Sequence, residues 1–243
     1  MKKGRQITAI FLAAATMALS ACTSGGKETT SPILPGTQWG GSIDQVLEDL
    51  GTSRESLGEN LVVDDEKTGS ATAVLENQEI FGQQAAGTVL FFSGTQDGQG
   101  AFTRAEIYYP DSADMEAVGK SMEEAFGACA KTVTLYSQEG SAHTLTSGEE
   151  SRHWQGQLLQ DALSGEQQIA LRQQVAHQGP DVGTKISDRQ WENYLKNPLT
   201  TASWYVNYQS PLEEYAAEAF TGSTFRNVVI LDGSLQVEVD SLS

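Results

Sequence analysis

The three histidines of the chain are the first residues to consider for catalysis or metal binding. They stand at His143, His153 and His177, so no two share the four-residue spacing of zinc ligands on a helix. A Ser-His-Asp triad can assemble from distant residues and stays open as an alternative, but no Gly-x-Ser-x-Gly motif identifies a nucleophile. A catalytic dyad of Cys129 and His143 is a further alternative that stays open. The sequence therefore identifies no catalytic residue, and we expect neither a metal nor a cofactor.

Acidic residues form two dense groups, and neither is typical of a calcium site. Asp64, Asp65 and Glu66 are consecutive, whereas a calcium loop needs alternating oxygen ligands around a sharp glycine turn. Asp114 and its neighbours fall in the first turn of a predicted helix, where acids stabilise the helix dipole. The glycine-rich stretch 94–100 lacks the lysine and the following helix of a phosphate loop.

Aromatic residues are the remaining candidates for a binding site. Trp154, Trp191 and Trp204 lie in the second half of the chain, with Tyr205 and Tyr208 close to the last of them. Such rings form platforms for sugars or peptides, but they also form hydrophobic cores. The three tryptophans are therefore the candidate ligand-binding residues, and the choice between platform and core stays open.

The N-terminus has the features of an export signal. Three basic residues within the first five positions precede an apolar run over 7–18 that only two threonines interrupt. The run is too short to span a bilayer as a helix. Its order of charge, apolar run and small residues is typical of a secretory signal. It ends in Leu19, Ser20, Ala21 and Cys22, and a polar stretch follows.

The sequence Leu19-Ser20-Ala21-Cys22 resembles the lipobox of bacterial lipoproteins. The resemblance implies that residues 1–21 are removed as a signal peptide and that Cys22 receives a diacylglycerol with acyl chains such as palmitate. Residues 22–37 would then be the lipidated cysteine and a tether. We expect an exported protein, held through lipid at the cell membrane or the outer-membrane surface. The alternative is an ordinary secretory signal with an incidental cysteine, and the type of envelope stays open.

Charge and cysteine content restrict the partners further. Residues 1–21 carry three basic and no acidic side chains, so their removal changes the formal net charge from −17 to −20. A chain this acidic is repelled by nucleic acid and by anionic headgroups, so we expect no nucleic-acid partner. Its acidity suits either a cationic partner or simply a well-solvated surface. Cys129 is the second of two cysteines, and its alanine neighbours indicate a buried thiol.

The first half of the mature chain predicts helices around a group of strands. Ser42 and Gln45 have the spacing of a capping box, the apolar residues that follow share one helical face, and Gly51 provides a left-handed stop. Strands are predicted over 72–77, 78–83, 88–92 and 102–109, then a helix from Pro110 to Gly127, and then strands over 131–137 and 142–146.

The second half is less regular. The alternation of Ile169, Leu171 and Val175 favours a strand over 167–177, although the glutamine-rich composition also fits a helix. The dipeptide Asp232-Gly233 predicts a type I′ turn in a hairpin formed by 225–231 and 234–240. The other predictions are helices over 157–163, from Ser187 to Asn197 and over 210–220, and a strand over 203–208.

This order of elements predicts an α+β fold of antiparallel sheet and short amphipathic helices. After the signal peptide (1–21) and the tether (22–37), we predict one α+β unit over 38–148. A second follows over 149–243, either separate from the first or continuous with it. The stretch from Trp39 to Gly51 also resembles the helix that opens small helix-on-sheet modules of outer-membrane lipoproteins and β-lactamase-inhibitor-like proteins.

The leading hypothesis is a membrane-anchored cell-envelope lipoprotein that acts as a non-enzymatic binding or adaptor module for an envelope protein or a cell-wall partner. The alternative is an envelope-associated hydrolase whose site is assembled from distant residues. A polar pocket that places His143, His153 or His177 beside a serine, aspartate or cysteine would favour the hydrolase.

Overall fold

A computed structural model describes residues 31–135, 149–178, 186–206 and 227–242. The helices are α1 (Ile43–Asp49), α2 (Arg54–Leu57), α3 (Met115–Phe126), α4 (Leu159–Ala162), α5 (Gly165–Gln178), α6 (Asp188–Tyr194) and α7 (Ser234–Asp240). The strands are β1 (Leu61–Asp65), β2 (Ser70–Glu76), β3 (Glu79–Ile80), β4 (Gln83–Gln84), β5 (Gly87–Ser93), β6 (Ala101–Tyr109), β7 (Lys131–Leu135), β8 (Glu149–Gln155), β9 (Thr201–Tyr205) and β10 (Asn227–Asp232).

Eight of these strands form one antiparallel sheet in the order β1-β2-β5-β6-β10-β9-β8-β7. It consists of two four-stranded meanders, β1-β2-β5-β6 and β7-β8-β9-β10. They meet where β10 pairs with β6 in a register that places Asn227 opposite Tyr109. β3 and β4 form a separate two-stranded hairpin. The predicted α+β class is therefore confirmed, and strands from both predicted units lie in one sheet.

Of the two longer apolar helices of the first half, α1 has both predicted ends, whereas α3 has the predicted C-terminal end but begins later than predicted. The Ser42 hydroxyl accepts a hydrogen bond from Gln45 N at the start of α1, and Gly51 follows it with a φ of 75°. Such side-chain caps satisfy backbone donors that have no partner within the helix. At α3 the cap is Asp114 rather than a residue of the 110–112 stretch, and Gly127 follows that helix with a φ of 86°.

Both helices cover the same face of the sheet, which we call the helical face. Its side chains include one apolar row that crosses six strands. The members of this row are Ala73, Leu90, Ala105, Leu231, Ala202 and Trp154. Buried side chains of α1 and α3, such as Leu47 and Met122, complete this core. The other side of the sheet, the opposite face, carries a smaller apolar cluster that contains Val89 and Val228.

A second helical layer packs beside the sheet. Leu159, Leu171, Trp191, Leu199 and Val239 form its buried cluster and come from α4 to α7 and the loop before β9. α7 connects the two cores, because its Leu235 and Val239 pack in this cluster whereas Val237 packs against the core of the helical face.

Two predicted strands are wrong. Residues 167–177 belong to helix α5, in which Leu171 is buried while Ile169 is 62% exposed. Residues 234–240 form helix α7, so the predicted terminal hairpin does not exist. The alternation in α7 arises because the helix contacts apolar clusters on two sides. Gly233 has a φ of −126°, which is not a type I′ turn conformation.

Other differences from the predictions concern which strands pair and where the folded part of the chain begins. β7 pairs with β8. The predicted strand over 142–146, with its pairing to 131–137, and the predicted helix over 210–220 lie outside the described residues. The predicted strand over 78–83 is the β3–β4 hairpin. The folded part begins before Trp39, because Leu34 is buried and the indole nitrogen of Trp39 donates to the Pro32 carbonyl at 3.0 Å. Among the described helices, none has the length and apolarity that a transmembrane span requires.

Candidate functional site

The polar side chains best suited to catalysis or binding lie on the opposite face of the sheet. One row across this face contains His153 on β8, Ser203 on β9, Ile230 on β10, Glu106 on β6 and Val89 on β5. The antiparallel register brings these residues into line although the chain separates them by up to 141 positions. The row joins a histidine–serine cluster to a charged network. Within it, His153 and Glu106 are separated by three strand spacings, about 14 Å.

The histidine–serine cluster consists of Ser151, His153, Ser203 and Tyr205. The His153 Nε2 atom lies 3.0 Å from the Ser151 hydroxyl oxygen, and its Nδ1 atom lies 3.0 Å from the Ser203 hydroxyl oxygen. The Tyr205 ring meets the imidazole edge to face, with ring centres 5.8 Å apart. A neutral imidazole has one donor and one acceptor, so in that form one serine donates to the ring and the other accepts from it.

A serine hydrogen-bonded to a histidine is the core of a nucleophilic site, in which a third group usually orients the imidazole. Here the ring nitrogen remote from Ser151 contacts an uncharged hydroxyl, that of Ser203. Ser151 is also fully buried, so an acyl substrate has no direct access to its oxygen. The cluster therefore fixes the imidazole firmly, but its geometry suits a rigid surface group better than a nucleophile.

The charged network consists of Arg104, Glu106 and Tyr108 on β6. Glu106 is only 4% exposed. Its two carboxylate oxygens accept hydrogen bonds from the Arg104 guanidinium and, at 2.5 Å, from the Tyr108 hydroxyl. A buried carboxylate is tolerated when it is paired in this way. The Arg104 guanidinium carbon lies 5.7 Å from the centre of the Phe91 ring, so the network ends in a cation over an aromatic ring.

The three predicted ligand-binding tryptophans are all buried. Trp154 and Trp204 share the core of the helical face, where their indole nitrogens donate to the carbonyls of Gly127 and Met115 at 2.9 and 2.8 Å. Trp191 lies in the second helical layer, stacked on Tyr194. The structure thus brings two of them together and separates the third. Their ligand-binding role stays a prediction, and their burial does not add support to it.

The other residues of the sequence analysis have structural positions or lie outside the described residues. Asp65 accepts hydrogen bonds from Lys67 N and the Thr68 hydroxyl in the turn between β1 and β2. Cys129 is half-buried against the core of the helical face. Cys22 and His143 lie outside the described residues. In the described part of the chain, no group of three or more histidine, cysteine, aspartate or glutamate side chains could hold a metal ion.

The one acidic residue of the glycine-rich stretch 94–100 also has a structural role, in a hydrogen-bonded turn. The Asp97 carboxylate accepts hydrogen bonds from the Thr95 hydroxyl at 2.6 Å and from Gln99 N at 3.1 Å. These bonds lower the pKa of Asp97 from its usual value, with the Thr95 hydroxyl as the largest contribution. The aspartate therefore shapes the loop between β5 and β6.

Sequence reasoning missed the histidine–serine cluster, and part of its signal was present. Ser203 and Tyr205 are two positions apart on the predicted strand over 203–208, and this spacing places them on one face. Ser151 and His153 have the same spacing, but no strand was predicted there. Comparison with protein-family models, curated proteins and solved structures found no match for the chain.

Proposed function

We propose that this protein is a lipid-anchored binding module of the bacterial cell envelope, exported and held at the membrane through Cys22. The observation that carries the proposal is the band of polar and aromatic side chains on the opposite face of the sheet. We define this band as the binding face. Its members, each partly exposed, are Phe91, Arg104, His153, Ser203, Tyr205 and Ile230.

The composition of the binding face supports a protein partner. Arginine, tyrosine and phenylalanine are enriched at protein–protein interfaces relative to other surfaces, because they combine a large contact area with hydrogen-bonding or charged groups. An envelope protein therefore fits the band better than a cell-wall polymer does. Binding to such a polymer is one of the outcomes that the test distinguishes.

The rigidity of the binding face supports the same function. His153 is held by two serine hydroxyls, and Arg104 is held by Glu106. Side chains that are fixed before binding lose little conformational entropy in the complex. A preorganised surface on a broad sheet is what an adaptor requires, and it needs no catalytic group.

Site-specific photo-crosslinking in the native envelope tests the binding face. A photoreactive phenylalanine derivative at Tyr205 replaces one ring by another, and the same derivative at Ile169, which is 62% exposed on α5, is the matched control. We expect a discrete adduct with an envelope protein from position 205 and none from position 169. Adducts with glycan strands would indicate a cell-wall partner. Equal or absent crosslinking at both positions would contradict the proposed face.

The anchor is tested separately by metabolic labelling with a fatty acid. The wild-type chain should incorporate the label, and Cys22→Ala should abolish it because that thiol is the proposed attachment site. Label retained by the Cys22→Ala protein would exclude lipidation at this residue.

The contact of 3.0 Å between His153 Nε2 and the Ser151 oxygen keeps a hydrolase as the second candidate. A fluorophosphonate probe distinguishes the two, because it reacts with serines that an adjacent base activates. Labelling that disappears in both Ser151→Ala and His153→Ala would favour the hydrolase. Absence of labelling in the folded wild-type protein is the result we expect for a binding module.

A further inference from the structure

A cavity of about 110 Å³ lies between the helical face, the end of α1 and the β3–β4 hairpin. Its walls are mostly apolar. The apolar part of the lining consists of Leu34, Pro35, Leu50, Leu75, Ile80 and Phe81, and the polar part of Gln78, Glu79 and Thr88. The binding face is on the other side of the sheet, so this cavity is independent of the proposed function.

Of the three polar lining residues, only Thr88 is buried. Thr88 lines the cavity and lies on the helical face between Leu75 of β2 and Ile107 of β6. It is 1% exposed, and its Oγ1 atom has no hydrogen-bond partner among the described residues. A buried hydroxyl without a partner loses its hydration and gains nothing in return. Such a group is costly in a core and useful in a binding site.

The hairpin that closes one side of the cavity is held in an uncommon conformation. Phe81 has a φ of 50°, which is rare for a residue with a bulky side chain. The Tyr109 hydroxyl fixes the hairpin by donating to the Ile80 carbonyl at 2.9 Å, and the Phe81 ring packs edge to face on Phe126. Backbone strain that the surroundings enforce is concentrated at ligand-binding and switch regions.

The size and the lining of the cavity define the class of ligand. An apolar cavity of about 150 Å³ in another protein stays dry and binds benzene, so a slightly smaller cavity suits a single ring or a chain of a few carbons. The only charged lining side chain among the described residues is that of Glu79, which is exposed. A charged ligand would therefore lose its hydration without gaining a buried partner.

We propose that this cavity binds a small, neutral, mostly apolar molecule about the size of phenol, whose single polar group forms a hydrogen bond with the Thr88 hydroxyl. The apolar walls provide affinity, and Thr88 provides selectivity between molecules of similar shape. Phenol and benzene are suitable probes, because they share a ring and differ by one hydroxyl.

Methyl NMR on the full chain in lipid nanodiscs tests the proposal, with empty nanodiscs as the blank for partitioning into lipid. Titration with phenol should shift the methyl signals of Leu75 and Ile80 in a saturable way. We expect phenol to bind about three- to tenfold more tightly than benzene, the gain from one buried hydrogen bond. Thr88→Val should reduce this ratio to about one, whereas Thr88→Ser, which keeps a hydroxyl, should retain the preference.

A variant that fills the cavity completes the test. Leu50→Phe adds volume at a partly exposed wall position and should abolish binding of both probes while the other methyl signals stay in place. The proposal is overturned if saturable shifts are absent, if the preference for phenol persists in Thr88→Val, or if Leu50→Phe binds as well as the wild type. Saturable shifts would be absent if the cavity held a water molecule that phenol does not displace.

Discussion

The guanidinium carbon of Arg152 lies 4.6 Å from the centre of the Trp204 ring, directly opposite it on the neighbouring strand of the sheet. The same guanidinium donates two hydrogen bonds, of 3.1 and 2.6 Å, to the Glu116 carboxylate on α3. Gly119 makes room for this contact, because a Cβ atom there would lie 2.8 Å from Arg152 Nη1. Arg152 therefore connects a helix that follows the first meander to the strands of the second.

We expect Arg152→Ala to lower the free energy of unfolding by about 2–3 kcal/mol, since it removes a paired charge and a cation over an indole ring. The matched control is Arg54→Ala. Arg54 pairs with Asp44 on the surface, and an exposed pair contributes less than about 1 kcal/mol. Urea unfolding of both variants measures the difference, and equal losses would show that Arg152 has no special role.

Gly233 is required for space rather than for a turn. A Cβ atom at this position would lie 2.2 Å from the Trp39 ring, and that ring is stacked on Phe102 with centres 4.9 Å apart. We expect Gly233→Ala to destabilise the protein by about 1–3 kcal/mol or more, as overpacking in a rigid core does. Gly165→Ala is the control, because a Cβ atom there has no neighbour within 4 Å. Thermal melts in which both variants match the wild type would contradict this account.

Deletion of residues 225–243 should abolish cooperative unfolding. It removes β10, which lies between β6 and β9 and joins the two meanders. Deletion of residues 233–243 alone removes α7 and keeps every strand of the sheet, so we expect a weaker but still cooperative protein. Urea melts and size-exclusion chromatography measure both. A sharp melt after the longer deletion would show that the two meanders fold without their common strand.

The stability of the protein should depend on pH through Glu238. Burial raises the pKa of this carboxyl above its ordinary value, although the group is only partly buried. The folded state therefore binds the proton more tightly than the unfolded state. Stability from this group is fully present below the ordinary glutamate pKa of about 4.3. It is lost as pH rises through the higher folded value.

Glu238→Gln removes the titrating group. The free energy of unfolding of this variant, relative to that of the wild type, should therefore be greater at pH 7 than at pH 3.5. The matched control is Glu48→Gln at an exposed position of α1, which measures the effect of the same substitution away from a buried site. Denaturant midpoints at the two pH values measure the difference. A Glu238→Gln effect that is the same at both pH values would contradict the assigned direction.

The sequence predicted elements whose signals are local. Ser42, Gly51, Ser187 and Gly127 mark helix ends through their own side chains or backbone freedom, and each lies where the structure begins or ends a helix. Periodicity was misleading where a helix has apolar neighbours on two sides. In α7 the residues Leu235, Val237 and Val239 alternate like a strand because they pack into two different clusters.

The candidate site was not predictable in the same way. Its contacts join residues far apart in sequence, such as His153 and Ser203, 50 positions apart. Strand order decides which residues meet, and no local pattern placed β10 between β6 and β9. The Thr88 cavity has a similar origin, because its walls come from the residues before α1, from the end of α1, from β2 and β5, and from the β3–β4 hairpin.

The central position of the last strand determines the order in which the protein can fold. β1, β2, β5 and β6 have neighbouring partners in the chain, whereas β6 meets β10 only after more than a hundred further residues. Local pairings form faster than distant ones, so we expect amides of β2 and β5 to gain protection before those of β9 and β10 in pulsed hydrogen exchange. Simultaneous protection of all four would exclude this order. Until residues 227–232 have been synthesised, a growing chain carries β6 as an exposed edge, which is open to pairing with other chains.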